Sequence, residues 1–232
     1  MPNGRAQRTD MTAKERHGRA RGDQPEPFAW RPALLLVLAI AFVAAFWALR
    51  PGTPRAALPS AGERIVAFGD SLVAGAGATP GRDLVSVLSQ RLGMPILNAG
   101  RSGDTTASAL RRLEPAVLAQ NPRIVIVVLG GNDYLRRVPP QETFGNLETI
   151  VARIRQKGAA VVLVGLSLGI FSDSYSDGYR DVARRASAGL VPDVLDGILG
   201  RGELMADQIH PNDRGYALMA DRIEPVLRDL LQ

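Results

Sequence analysis

The chain has 232 residues, 46% of them hydrophobic, enough for one well-cored domain and an appendage. It has no cysteine, which excludes disulfides, thiolate metal sites and a cysteine nucleophile. The formal charge of +5 suggests a polyanion ligand, but its distribution argues against nucleic acid. Residues 1–32 hold seven Lys/Arg and four Asp/Glu, and Arg50 and Arg55 add two more positive charges. Residues 60–232 carry 19 basic and 19 acidic side chains and are neutral. The basic excess thus lies beside an apolar segment, where it suits membrane topology or anionic lipid.

In chain order, residues 1–32 form a basic tail, polar and without hydrophobic periodicity over most of its length, and read as disordered. Residues 33–49, ALLLVLAIAFVAAFWAL, form an uncharged run of 17. As a helix it would measure roughly 25 Å, near the short limit for crossing a bilayer. The chain's two tryptophans, Trp30 and Trp47, stand at its ends, where interfacial anchors belong. A buried core helix is disfavoured because the run is apolar all round and lies outside the domain. A cleaved signal peptide remains an alternative, with a small-residue pattern at Val43-Ala44-Ala45, but the leader is long and the run exceeds the usual h-region. The reading adopted is a transmembrane signal anchor with its N-terminus in the cytoplasm, in a bacterial inner membrane, and with the following domain periplasmic. Residues 50–62 are a Pro/Gly/Ala linker.

From 63 to 232 apolar runs alternate with helical patterns. Strands are predicted at 64–68, 95–98, 124–129 and 160–166, with a weaker one at 190–195. Helices are predicted at 82–92, 105–119, 140–157, 176–188 and 213–231. Strands separated by helices imply βαβ units and a parallel sheet. The continuous IVIVVL at 124–129 fits a strand buried on both faces. In such a sheet, sites form at the C-terminal strand ends. Those ends read Phe68-Gly69-Asp70-Ser71-Leu72, Ser102-Gly103-Asp104-Thr105 and Gly130-Gly131-Asn132-Asp133, and Asp207-Gln208-Ile209-His210-Pro211 precedes the last helix.

These four blocks, in this order, resemble the SGNH (GDSL) hydrolase family, and within it the bacterial thioesterase I/lysophospholipase and arylesterase branch. The resemblance covers about 62–232. It implies a three-layer α/β/α sandwich on a five-stranded parallel, flavodoxin-like sheet, and a serine ester hydrolase that works through an acyl-serine intermediate without cofactor or metal. It assigns Ser71 as nucleophile, with His210 and Asp207 completing the triad, and Ser71, Gly103 and Asn132 as the oxyanion hole.

The chemistry of each position agrees. Ser71 falls between a strand and a helix, where its Oγ can stand at the sheet edge beside backbone N–H groups. A serine hydroxyl needs a base, and the domain has one histidine, His210, since His17 lies in the tail. Asp207, three residues earlier, can reach the imidazole from within a tight turn; Asp213 is the next contender but reads as a first-turn helix carboxylate. Asp70, Asp104 and Asp133 read as structural, with Asp104 as the cap of the helix at 105–119. Gly75-Ala76-Gly77 is too short for a nucleotide fingerprint and reads as a loop.

Two segments depart from the branch. Tyr134 stands where a small residue is frequent, and the loop Ser167-Leu168-Gly169-Ile170-Phe171-Ser172-Asp173 lacks the usual Pro and Asn. Leu72, Tyr134 and Phe171 are candidates for lining an apolar acyl pocket, or serve only to pack the domain. Three functions remain open: hydrolysis of acyl esters, thioesters or lysophospholipids; carbohydrate O-deacetylation at the cell envelope; and a non-enzymatic tethered binding module. The intact Ser–Asn–Asp–His set argues against the last.

Overall fold

A computed structural model describes residues 62–167 and 172–232. The tail, the apolar run at 33–49, nearly all of the linker and Phe171 lie outside the described residues. Among the described residues, no helix is long and apolar enough to cross a membrane.

Five strands run parallel: β1 (Arg64–Gly69), β2 (Ile96–Gly100), β3 (Pro122–Val128), β4 (Ala160–Val164) and β5 (Gly189–Val191), in the order β2-β1-β3-β4-β5. The central strands read as unbroken apolar runs because both faces are covered. Ile124 to Leu129 are fully buried, as are nearly all of β1 and β4. Pro122 is tolerated at the first position of β3, where no ladder donor is lost.

Seven helices complete the unit: α1 (Ser71–Ala74), α2 (Leu84–Leu92), α3 (Thr106–Ala116), α4 (Gly131–Leu135), α5 (Pro140–Gln156), α6 (Ser172–Ala186) and α7 (Asp213–Leu231). Contacts group α2 with α7, and α5 with both α3 and α6, giving a helical layer on each side of the sheet. The parallel sheet follows from the alternating pattern, and the three-layer, five-stranded arrangement is the one the family resemblance implies.

Differences from the expected elements are local. The helix at 105–119 stops at Ala116, after Pro115 removes a donor, and a 3₁₀ turn at Leu118–Gln120 follows. Its cap is Thr105, whose Oγ1 accepts from the Ser108 N–H in a capping box, and not Asp104. The last strand is three residues long, since the chain turns at Pro192. Helix α6 begins at Ser172 rather than 176. Helices α1 and α4 span four and five residues, too short to leave a periodic signal, yet both carry site residues.

Candidate active site

Strand β1 is buried through Gly69 and releases the chain at Asp70, whose carboxylate accepts from the Leu72 N–H at 3.0 Å and caps α1. Ser71 is therefore the first helical residue, at the C-terminal edge of the sheet. With a single turn, α1 offers local N–H groups rather than a macrodipole.

The imidazole of His210 meets Ser71 with Nε2 3.0 Å from Oγ. Its Nδ1 lies 2.7 Å from Asp207 Oδ2. The other oxygen of Asp207 accepts the backbone N–H groups of Ile209 and His210, both at 2.8 Å. These bonds, the one to His210 first, pull the Asp207 carboxyl down to about 2. It is ionised at any physiological pH and holds Nδ1 as the donor, which leaves Nε2 to accept from Ser71. Asp213 takes no part: its carboxylate accepts from the Thr79 N–H at 2.8 Å and Oγ1 at 2.7 Å.

The loop carrying His210 is held from an unexpected side. Gly77 adopts φ +88°, and a Cβ there would stand 2.7 Å from the Pro211 carbonyl oxygen and 3.2 Å from His210 Cβ. The preceding Ala76 carbonyl accepts from Tyr216 Oη on α7 at 2.7 Å. Gly75-Ala76-Gly77 is thus a spacer that lets the serine and histidine segments close on each other, a role with no sequence signature beyond the glycines.

Asn132 sits on α4, just beyond β3. Its Nδ2 donates to the Asp104 carbonyl at 2.9 Å and lies 3.3 Å from Asp70 Oδ2. The amide therefore bridges the chain neighbours of Ser71 and of Gly103, and Asn132 and Ser71 line one cavity. Gly103 adopts φ +81°, a left-handed backbone that disfavours any side chain, although a Cβ would meet nothing closer than 3.6 Å. Around this core the remaining carboxylates brace loops. Asp133 accepts from the Thr106 N–H and Oγ1 at 2.9 and 2.6 Å. Asp104 accepts from Ser108 Oγ and pairs with Arg112. Tyr179 Oη donates to the Leu129 carbonyl at 2.7 Å and fixes the end of β3.

A cavity of about 230 Å³ opens on Ser71 and His210, with walls that include Leu72, Tyr134, Leu166, Leu195, Leu199 and Ile209. Leu72 and Tyr134 thus reach the position expected of them, and Tyr134 is held edge-on by Tyr175, ring centroids 5.3 Å apart. Phe171 lies outside the described residues. Leu195 and Leu199 come from the segment after β5 and were not legible as site residues.

Burial drives the Asp70 carboxyl from its ordinary 3.8 up to about 6, although its bond from Leu72 opposes the rise. Between these values the folded chain holds more protons than the unfolded chain. The ionised carboxylate is thus a destabilising feature that is absent below pH 4 and fully expressed above pH 6, and this group's contribution lowers stability as pH rises through that window. The span is at most about 3 kcal/mol. In urea titrations from pH 4 to 7, Asp70→Asn should gain stability relative to wild type as pH rises. Parallel curves for the two proteins would refute the shift.

A serine–imidazole–carboxylate chain at the C-terminal edge of a parallel sheet, with an amide beside the serine, defines a serine hydrolase site. The chain matches the GDSL-like Lipase/Acylhydrolase family over residues 67–218. It is similar to Esterase TesA of Pseudomonas aeruginosa, 34% identical over 184 residues that span 74% of this chain and 91% of that protein. It is also similar to thioesterase 1/protease 1/lysophospholipase L1 of Escherichia coli K12, 30% identical over 74% of this chain and 86% of that one. The crystal structure of TesA aligns with a TM-score of 0.69 at 34% identity, covering 72% of this chain and 99% of the other. The chain belongs to the GDSL-like lipase/acylhydrolase family and is a serine ester hydrolase.

Proposed function

We propose that the enzyme hydrolyses acyl esters and thioesters of medium chain length through an acyl-Ser71 intermediate, while tethered to a membrane by residues 33–49. Ser71 Oγ attacks the carbonyl carbon as His210 Nε2 takes its proton, and Asp207 holds the resulting imidazolium. The negative charge on the carbonyl oxygen is met by the N–H groups of Ser71 and Gly103 and by Asn132 Nδ2. His210 then returns the proton to the leaving oxygen or sulfur. Water, deprotonated by the same imidazole, attacks the acyl-enzyme and releases the acid.

The observation that carries this reading is the apolar cavity opening directly on Ser71. Leucine, isoleucine and tyrosine walls reward methylenes and offer an acetylated sugar little to hydrogen-bond. Initial rates on acetyl, octanoyl and palmitoyl p-nitrophenyl esters, beside acetylated xylan, test it. Octanoyl should exceed acetyl by about tenfold or more in kcat/KM, because two or three buried methylenes at ~0.8 kcal/mol each supply that much. Preference for the xylan would instead make the enzyme a carbohydrate O-deacetylase.

The tether is supported by the uncharged run, the basic leader before it and the Pro-rich linker after it. Full-length protein should pellet with membranes and resist carbonate, and protease added to spheroplasts should digest residues 60–232. A domain protected alongside a cytoplasmic control inverts the topology. A mature N-terminus beyond residue 43 makes the protein a free exported enzyme.

A further inference from the structure

Arg112 shares a cavity wall with Arg101, Arg111 and Arg136, but those three are exposed and its own side chain is only 17% exposed. It leaves α3 two turns in and reaches back past the helix N-terminus, the direction a long helical side chain takes. All three of its nitrogens donate, each to a different segment. Nη2 donates to the Gly69 carbonyl at the end of β1, at 3.0 Å. Nη1 donates to the Ala99 carbonyl in β2, also at 3.0 Å, and Nε to the Asp104 carboxylate. The guanidinium carbon lies over the buried ring of Phe68, 4.6 Å from its centroid. Asp104 is gripped from its other side too, since its second oxygen accepts from Ser108 Oγ at 2.8 Å.

These contacts close a ring. From Gly69 it runs through Arg112 to the Asp104 carboxylate, and from the Asp104 carbonyl to Asn132 Nδ2. The same nitrogen lies 3.3 Å from Oδ2 of Asp70, the residue after Gly69. Each donor proposed for the oxyanion belongs to this ring or adjoins it in the chain. Asn132 Nδ2 is a member, the Ser71 N–H follows Asp70, and the Gly103 N–H precedes Asp104. Such donors act only when they are fixed before charge develops, and a shift of about 1 Å can cost on the order of 10²-fold in rate.

We infer that Arg112 is a positioning residue for the oxyanion donors: by clamping the Asp104 carboxylate it places the Asp104 carbonyl that aims Asn132 Nδ2, and the Gly103 peptide that precedes it. This rests on the acyl-hydrolase reading above. Arg112 acts through Asp104 and touches no reacting atom. Lysine cannot replace it, because one ammonium nitrogen cannot serve three acceptors in the fixed directions of the guanidinium fork. The carboxylate of Asp104 is needed for the same reason, as the charged acceptor that holds that fork to the loop.

The test uses the full chain with Arg112→Lys, Asp104→Asn and the two combined. Steady-state kinetics on p-nitrophenyl octanoate are set beside Tm and the Ki of an octyl trifluoromethyl ketone. Ser71 Oγ adds to the carbonyl carbon of that ketone, its proton passes to His210 Nε2, and the carbonyl oxygen becomes an anion, so Ki reports the oxyanion donors directly. Arg112→Lys should lower kcat by about 10- to 100-fold with KM nearly unchanged, and Ki should rise in step. Asp104→Asn should shift kcat and Ki the same way by less. The double variant should be within about twofold of Arg112→Lys, since both changes break one link. A lowered Tm with kcat and Ki unchanged would make Arg112 a brace of the fold alone and overturn the inference. Losses that multiply in full in the double variant overturn the route through Asp104. Should Arg112→Lys fail to fold, Asp104→Asn decides by the same kcat and Ki comparison. Folded wild type that neither cleaves the ester nor binds the ketone removes the hydrolase reading itself.

Discussion

Ser71→Ala is expected to abolish ester hydrolysis, by about 10³-fold or more in kcat, with the domain still folded. The hydroxyl is the only group lost. Its one side-chain hydrogen bond is to His210 Nε2, at 3.0 Å, and the imidazole keeps its 2.7 Å bond to Asp207. The turn that holds position 71 is fixed by Asp70, which caps α1 from a buried position, and not by the serine side chain. Folding should therefore be insensitive to the change, and circular dichroism and Tm should match wild type. Adding His210→Ala should cost little more, because a base without its nucleophile has nothing to activate. The groups proposed to meet the oxyanion, the N–H groups at positions 71 and 103 and Asn132 Nδ2, remain in such variants and are expected to account for whatever rate survives. Rates measured on p-nitrophenyl octanoate decide the matter: a folded Ser71→Ala protein working at wild-type speed would assign the chemistry to another group.

How much of this site the sequence carries depends on the range over which each feature is encoded. The central strands are legible because burial on both faces leaves long apolar runs, and IVIVVL at 124–129 needs no context. Ser71 and Asn132 are legible because strand ends concentrate polar and glycine residues between those runs, and His210 because residues 60–232 hold no other histidine. The Asp207–His210 pair is encoded locally, in one turn. What is not legible is whatever depends on two distant segments meeting. Asp70 reads as structural, but nothing local shows that it is 2% exposed and 3.3 Å from the amide of Asn132, 62 positions later. Gly77 reads as loop filler until its contact with His210 is seen. Asp104 reads as a helix cap, but the hydroxyl of its neighbour Thr105 has the geometry for the bond, which frees the carboxylate for Arg112. Arg101, Arg111, Arg112 and Arg136 are spread over 36 positions and line one cavity only in the folded chain.

Asn132→Ala is expected to lower kcat by about 10²–10³-fold with little change in KM. The two hydrogens of Nδ2 are placed unequally. One is committed to the Asp104 carbonyl at 2.9 Å and sets the plane of the amide. The other faces Asp70 Oδ2 across 3.3 Å, a long contact with a carboxyl whose burial already disfavours its charge. A developing oxyanion beside Ser71 is a better acceptor than that, so the hydrogen is available to it in the transition state. The carbonyl of bound substrate carries less charge and gains less from the same donor, which is why the loss belongs in kcat. Asn132→Asp keeps the shape but puts an acceptor where the donor was and a third carboxylate close to Asp70 and Asp104. It should be at least as slow as the alanine variant, and relief at acid pH would show that repulsion contributes. Steady-state kinetics on the octanoyl ester separate the possibilities. If both variants raise KM and spare kcat, Asn132 binds substrate in the ground state and the oxyanion must be met by the backbone donors alone.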